Sequence, residues 1–361
     1  MDNIRLLIWM TLIVMLWLTY QQWLIDYPPA GTATPSPTST TAADDSPAPI
    51  SANDVALPDI GQATPPQAAN APALPSAQAG AQPSRTVNVR TDVLDVTIDL
   101  RGGNLVRADL PAYPVDKSTP DVPVRLLDYA DDSYWVINSG VRAANGGDEP
   151  NHIAAFESDA GTYELAPGAD ELDVVLRWAG AGSLSATKTY QFTRGSYAVD
   201  MTLAIENASA SAWSGVPYAQ IVRRHVPVER SFTSVDSYSF RGPVLYDGDE
   251  YAKLDVDDLV TDPVSQVVMG GWLAGIEHHF LAAAVPPPDE SVSYQAAMRG
   301  SQYVLTALGP AREIGPSGSA EYTLALFVGP KIQAQLAETA EDLELTVDYG
   351  VFTVLAQPLF W

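Results

Sequence analysis

The chain has 361 residues, with 19 Lys plus Arg against 44 Asp plus Glu, a formal net charge of −25 and no cysteine. That balance argues against nucleic acid as a partner, because phosphate binding needs a basic face, and it weakens attraction to anionic lipid heads. Without cysteine there can be no disulfide, thiolate nucleophile or Cys-ligated zinc; no compartment follows from that. At 46% hydrophobic residues the chain can bury a large core, as one big domain or two small ones.

The first predicted element is a membrane anchor. Leu6 to Ile25 is uncharged throughout, interrupted only by Thr11, Thr19, Gln21 and Gln22. As a helix it would reach ~30 Å, enough to cross a bilayer core. Leu6 and Trp9 belong to its apolar body, and Trp17, Tyr20 and Trp23 gather towards its far end as an aromatic belt. A cleaved signal peptide is the rival reading. It would end in a small-residue cleavage site, whereas aromatic-rich sequence follows here. Arg5 precedes the helix and no Lys or Arg recurs until Arg85, which predicts a cytoplasmic N-terminus with the rest outside. Residues 1–27 form this unit.

Residues 28–84 are rich in Pro, Ala, Thr, Ser and Gln and hold 12 of the 29 prolines. Too little apolar surface is available there to offset the entropy of ordering, so a disordered tether is expected in preference to a proline-rich docking site.

From Arg85 the periodicity becomes that of strands. Leu94, Val96, Ile98 and Leu100 alternate with polar residues, and Gly102-Gly103 closes the run. Two strands flank Arg194-Gly195-Ser196 as a hairpin. Short apolar runs separated by Pro, Gly, Asn and Asp continue to residue 329, with no long amphipathic helix between them. The expected fold is all-β: a large antiparallel two-sheet sandwich with helices at its C-terminal end. The first of these helices is expected to begin at Gly329-Pro330, with Ile332, Leu336 and Leu343 on one face. Residues 330–361 end on an apolar stretch in which Tyr349, Thr353 and Gln357 form one narrow polar stripe at helical spacing. Phe352, Leu355, Leu359 and Phe360 supply a wide apolar face, suited to a helix lying in the headgroup boundary of a lipid bilayer.

Candidate chemistry is sparse. The histidines are His152, His225, His278 and His279. On a strand, His278 and His279 would point to opposite faces and could not chelate one metal. Glu277-His278 beside His225 could serve acid–base chemistry on a sugar, with Trp135, Trp178, Trp213 and Trp272 as candidate cleft aromatics. The plainer expectation is ordinary strand and edge residues. The carboxylate-rich stretch from Tyr246 to Leu259 lacks the spacing of a calcium loop and is expected to be a solvated loop. Asn207-Ala208-Ser209 fits a glycosylation pattern but sits where a turn is expected. No catalytic, cofactor or metal residues are assigned.

Several phrases taken together resemble the YidC family of bacterial membrane protein insertases. They are the opening "MDNIRLLIWMTLIVMLWLTYQQW", "RGGNLVRADLPAYP", "YQFTRGSYAVDM", "FRGPV", "GGWLAGIEHHF", "LFVGPKIQ" and the closing "LELTVDYGVFTVLAQPLFW". The resemblance implies an inner-membrane protein that assists insertion and folding of membrane proteins, alone or with the Sec translocon (SecD–SecF and the channel), with nascent membrane proteins as clients. It implies a periplasmic β-supersandwich, galactose-mutarotase-like, between a first and a second transmembrane helix. It also implies that this chain stops at the second of these, as a fragment without the helix bundle whose charged groove carries insertion. No cofactor is implied. The alternative from another class is a membrane-anchored periplasmic sugar-binding or aldose-epimerase-like module.

Overall fold

The computed structural model describes residues 57–58, 85–144, 146–227 and 239–347. Twenty strands run through them. The first half of the domain holds β1 (Thr86–Arg90), β2 (Asp95–Asp99), β3 (Asn104–Pro114), β4 (Pro123–Leu127) and β5 (Trp135–Ala143). Then follow β6 (Glu157–Ser158), β7 (Thr162–Glu164), β8 (Glu171–Ala179), β9 (Leu184–Thr193), β10 (Ala198–Asn207) and β11 (Trp213–Arg224). The second half holds β12 (Gly242–Tyr246), β13 (Tyr251–Lys253), β14 (Val264–Met269), β15 (Trp272–Ile276) and β16 (Phe280–Val285). It closes with β17 (Ser291–Arg299), β18 (Gln302–Leu308), β19 (Arg312–Ile314) and β20 (Gly318–Pro330).

These strands make two sheets. The first has 11 strands along the path β14-β17-β18-β11-β5-β3-β2-β1-β7, with β19 on β11 and β4 on β3. The second has 9, in the order β13-β12-β15-β16-β20-β10-β9-β8-β6. Pairing is antiparallel apart from β1 with β7. The two-sheet sandwich expected from the sequence is what forms, and the reason is visible along single strands. In β1, Val87 and Val89 are buried between exposed neighbours; in β9, every second residue from Leu184 to Phe192 points inward. One face of each sheet is therefore apolar and is buried against the other. The predicted hairpin around Gly195 is the β9–β10 pair, in register from Val199 opposite Phe192 to Asn207 opposite Leu184.

Between β2 and β3 the chain turns on Gly102, whose φ of 83° lies in the left-handed region. A Cβ there would stand 2.1 Å from the His152 carbonyl oxygen, so only glycine fits. Lys188, on the inward register of β9, reaches this turn. Its Nζ donates to Gly102 O at 2.7 Å, Ser139 O at 2.9 Å and Ser139 Oγ at 3.1 Å. Tyr190 Oη donates to Gly103 O at 2.6 Å. Two side chains of the second sheet thus satisfy turn and strand carbonyls of the first.

The strands β12 and β15 are buried at every position, which alternation alone cannot explain. Gly275 faces inward, since a Cβ there would meet Tyr303 and Trp135 of the first sheet. Trp272, Ala274 and Ile276 therefore face out, yet Trp272 is only 1% exposed. The C-terminal segment covers it. Trp272 Nε1 donates to Glu341 O at 2.9 Å, and Tyr246 Oη donates to Asp342 Oδ2 at 2.8 Å.

Three local expectations are corrected. Pro330 does not open a helix. It is the last residue of β20, opposite Phe280, a strand-end position that tolerates its missing N–H. The helix α2 (Gln333–Thr339) starts later, with Leu336 and Leu343 fully buried but Ile332 37% exposed at the extended N-cap. A one-turn helix α1 (Asp258–Thr261) also interrupts the strands, where "DVDDLV" puts Leu259 into the core. Finally, two residues of the expected tether are seated on the domain. Pro58 is buried, and its carbonyl accepts from Arg142 Nη1 at 2.7 Å.

Candidate functional site

At one end of the sandwich both sheets contribute to a cavity of about 370 Å³. The ends of β4, β5, β11 and β18 wall it from the first sheet, and those of β12 and β16, with Glu277 just past β15, from the second. Register explains its main feature. Arg223 of β11 lies directly opposite Trp135 of β5, so both side chains project from the same face. The guanidinium stacks 3.9 Å over the indole ring, as a cation over an aromatic face does. It also forms an ion pair with Glu277 and donates to Ile276 O at 3.1 Å. Arg241 approaches the same carboxylate, with Nε 3.5 Å from Glu277 Oε2. Arg224 Nη1 donates to Asp131 O at 2.9 Å. Arg125 Nε donates to Asp109 Oδ1 at 2.8 Å, where Arg107 also pairs.

The histidines are scattered. His225 lines the cavity, and its backbone N–H donates to Ser301 O at 2.8 Å. His278 and His279 lie in the β15–β16 turn and not on a strand, so their rings touch edge to face at 4.0 Å instead of pointing apart. His152 is buried, its Nδ1 2.6 Å from Tyr218 Oη, and burial pushes that phenol's pKa up. Sugar acid–base chemistry would need an unhindered carboxylate beside a histidine. Glu277 is instead engaged by two arginines, so it is not such a carboxylate.

The four candidate tryptophans do not converge. Trp135 alone lines the cavity; Trp272 is on the outer face of the second sheet, and Trp213 folds over Gly215. The carboxylates of the acidic stretch serve its turns: Asp247 Oδ1 accepts from the N–H groups of Asp249 and Glu250. Among the described residues no three His, Asp or Glu side chains are grouped to hold a metal ion. Asn207 is 1% exposed, with its amide donating to Ser211 O and Ile314 O, so it is a structural side chain and not a glycan acceptor. No helix of the described residues is long and apolar enough to cross a membrane. The predicted anchor residues Leu6, Trp9, Trp17, Tyr20 and Trp23 lie outside the described residues, as do Phe352, Leu355, Leu359 and Phe360 of the predicted interface helix.

A family model described as the YidC periplasmic domain matches residues 86–361. The chain belongs to the YidC family. It is 37% identical over 372 residues to the membrane protein insertase YidC of Thioalkalivibrio sulfidiphilus, covering 100% of this chain and 64% of that protein. It is likewise 37% identical over 363 residues to the membrane protein insertase YidC of Nitrosococcus oceani, with the same coverage of 100% and 64%. The chain thus spans about two-thirds or less of these relatives' length, 64% in both. Among solved structures it is similar to a galactose mutarotase-like protein from Lactobacillus casei, with a TM-score of 0.41 and 8% identity over 67% of this chain and 99% of that one. The YidC-like phrases now have places. "RGGNL" is the turn that Lys188 holds, "FRGPV" brings Arg241 to the cavity, and "GGWLAGIEHHF" brings Glu277. The arginine cluster has one local trace in the sequence: "QIVRRHV" places Arg223, Arg224 and His225 side by side in an acidic chain.

Proposed function

We propose that the chain supplies the membrane anchor, tether and periplasmic accessory domain of an inner-membrane protein insertase and chaperone. The observation that carries this reading is the YidC periplasmic-domain match over residues 86–361. In this reading the N-terminus is cytoplasmic, Leu6 to Ile25 spans the bilayer, and residues 348–361 lie along the lipid interface. The clients are nascent membrane proteins, and the Sec translocon, through SecD–SecF, is the partner. The domain's charge fits an accessory role. A unit of a chain carrying −25 is repelled by anionic lipid heads, so contact with the bilayer falls to the apolar termini and the sandwich stands off the surface. Catalysis is not part of the proposal, and the sugar-epimerase alternative is disfavoured by Glu277, which two arginines already engage.

The test is cross-linking in cells. The tagged chain, expressed in a bacterium with an inner membrane and purified after treatment with a short amine- and carboxylate-reactive linker, should bring down nascent inner-membrane proteins and translocon subunits. Recovery of nascent chains without translocon subunits would remove the Sec partnership alone. Recovery of neither, with the chain present in the membrane, would reject the accessory role.

A further inference from the structure

We infer that the arginine-walled cavity at the end of the sandwich binds an acidic peptide segment through its carboxylates. Four arginines line it (Arg125, Arg223, Arg224 and Arg241) against two carboxylates, Asp132 and Glu277. In a chain with 19 basic and 44 acidic residues, this is a local reversal of sign.

Pairing leaves part of this excess standing. Glu277 is shared by Arg223 and Arg241, Asp109 is shared by Arg107 and Arg125, and Asp128 lies 4.0 Å from Arg125. The recorded hydrogen bond of Arg224 goes to a main-chain carbonyl, which neutralises no charge. Guanidinium forks match carboxylates in geometry, and Glu277 bridging two of them shows the arrangement this wall supports.

Trp135 Nε1 and Arg241 Nε are enclosed within the wall, and among the described residues neither makes a hydrogen bond. The Arg241 nitrogen lies 3.5 Å from Glu277 Oε2, an ion-pair distance.

Size and field then choose among anions. A cavity of about 370 Å³ falls within the range that holds a small ligand or a few side chains. Phe280 and Leu126 add apolar wall beside the charges, which suits a carboxylate next to an apolar side chain. The net −25 of the chain repels extended polyanions such as an anionic bilayer. At physiological salt that distant charge is screened over roughly 8 Å, while the wall arginines act at contact. A single peptide strand with acidic residues can enter; a charged surface cannot. Such binding would belong to the folded domain whether or not the chain serves insertion.

The experiment uses the 361-residue chain in a non-ionic detergent and acetyl-Glu-Leu-Glu-Leu-Lys-amide with fluorescein on the lysine amine, read by anisotropy, beside its Gln-Leu-Gln-Leu-Lys counterpart labelled in the same way. The Glu peptide is expected to bind at least about tenfold more tightly than the Gln peptide, with affinity falling as salt rises. Arg224→Gln with Arg241→Gln should cost the Glu peptide about tenfold or more, while Arg177→Gln, at an exposed ion pair with Asp159, should cost nothing. Should the double variant fail to fold, the two peptides on the parent chain still decide. Equal binding of both peptides, full affinity in a folded double variant, or displacement by inorganic phosphate at concentrations where acetate has no effect would each overturn the proposal.

Discussion

Lys188 is fully buried in β9, and burial pushes its pKa down from 10.5 to about 7. Three oxygens from Gly102 and Ser139 surround the amine at 2.7–3.1 Å and favour the ammonium form, opposing that fall. The sign of the linkage is fixed by the depressed value. Between about pH 7 and pH 10 the unfolded chain holds a proton on this side chain that the folded chain has released. Stability therefore rises with pH across that window, by up to about 1.4 kcal/mol per unit, and the contribution is lost as pH falls through the folded value. Urea unfolding of the parent and of Lys188→Met, compared from about pH 7 to about pH 9.5, should show the parent gaining on the variant as pH rises; parallel profiles would contradict this. In the structure Lys188 shares the inward register of β9 with Leu184, Ala186, Tyr190 and Phe192. Its acceptors, 49 and 86 residues earlier in the chain, left no local trace. The histidine turn was illegible for another reason. Glu277-His278-His279 carries none of the Gly, Pro, Asn or Asp that announces a turn, so its residues alone suggest strand.

At the scale of elements, strands such as β1 and β2 were legible because they are half-buried and their period of two is written in side chains such as Val87 and Val89 or Val96 and Ile98. The C-terminal segment was legible in kind and misplaced in detail. Pro330 looked like a helix start by the rule for first-turn prolines, but the β16–β20 ladder runs on to it, and that tertiary pairing outweighs a local preference. The consequence is a specific order of importance along this segment. Leu336 is fully buried and Ile332 is 37% exposed. Leu336→Ala should cost about 2–5 kcal/mol, as for other buried leucines, and Ile332→Ala less than about 1 kcal/mol. Denaturant unfolding of the two variants checks this; equal losses would mean that both residues share the buried face. Because Trp272 and Tyr246 are covered by this segment, tryptophan fluorescence should also report its detachment before the sandwich unfolds.

At the scale of the whole molecule, the cavity shows what sequence reading could not reach. Its residues come from six strands and their connecting turns, and no window of sequence holds more than three of its arginines and histidine together. Arg223 and Arg224 close a strand, while their convergence with Arg241 and Glu277 depends on both sheets closing. The family was legible because its phrases are distributed over the chain, and the match over residues 86–361 bears that out. The insertase role rests on relatives of which this chain covers 64%. The decisive measurement is therefore pulse-labelled insertion of a reporter membrane protein in cells depleted of their own insertase. Residues 1–361 are supplied either alone or fused in frame to the part of a curated relative that lies beyond the match. The account predicts that the fusion restores insertion and that the chain alone does not. Restoration by the chain alone, or a fusion that reaches the membrane intact and inserts nothing, would contradict it.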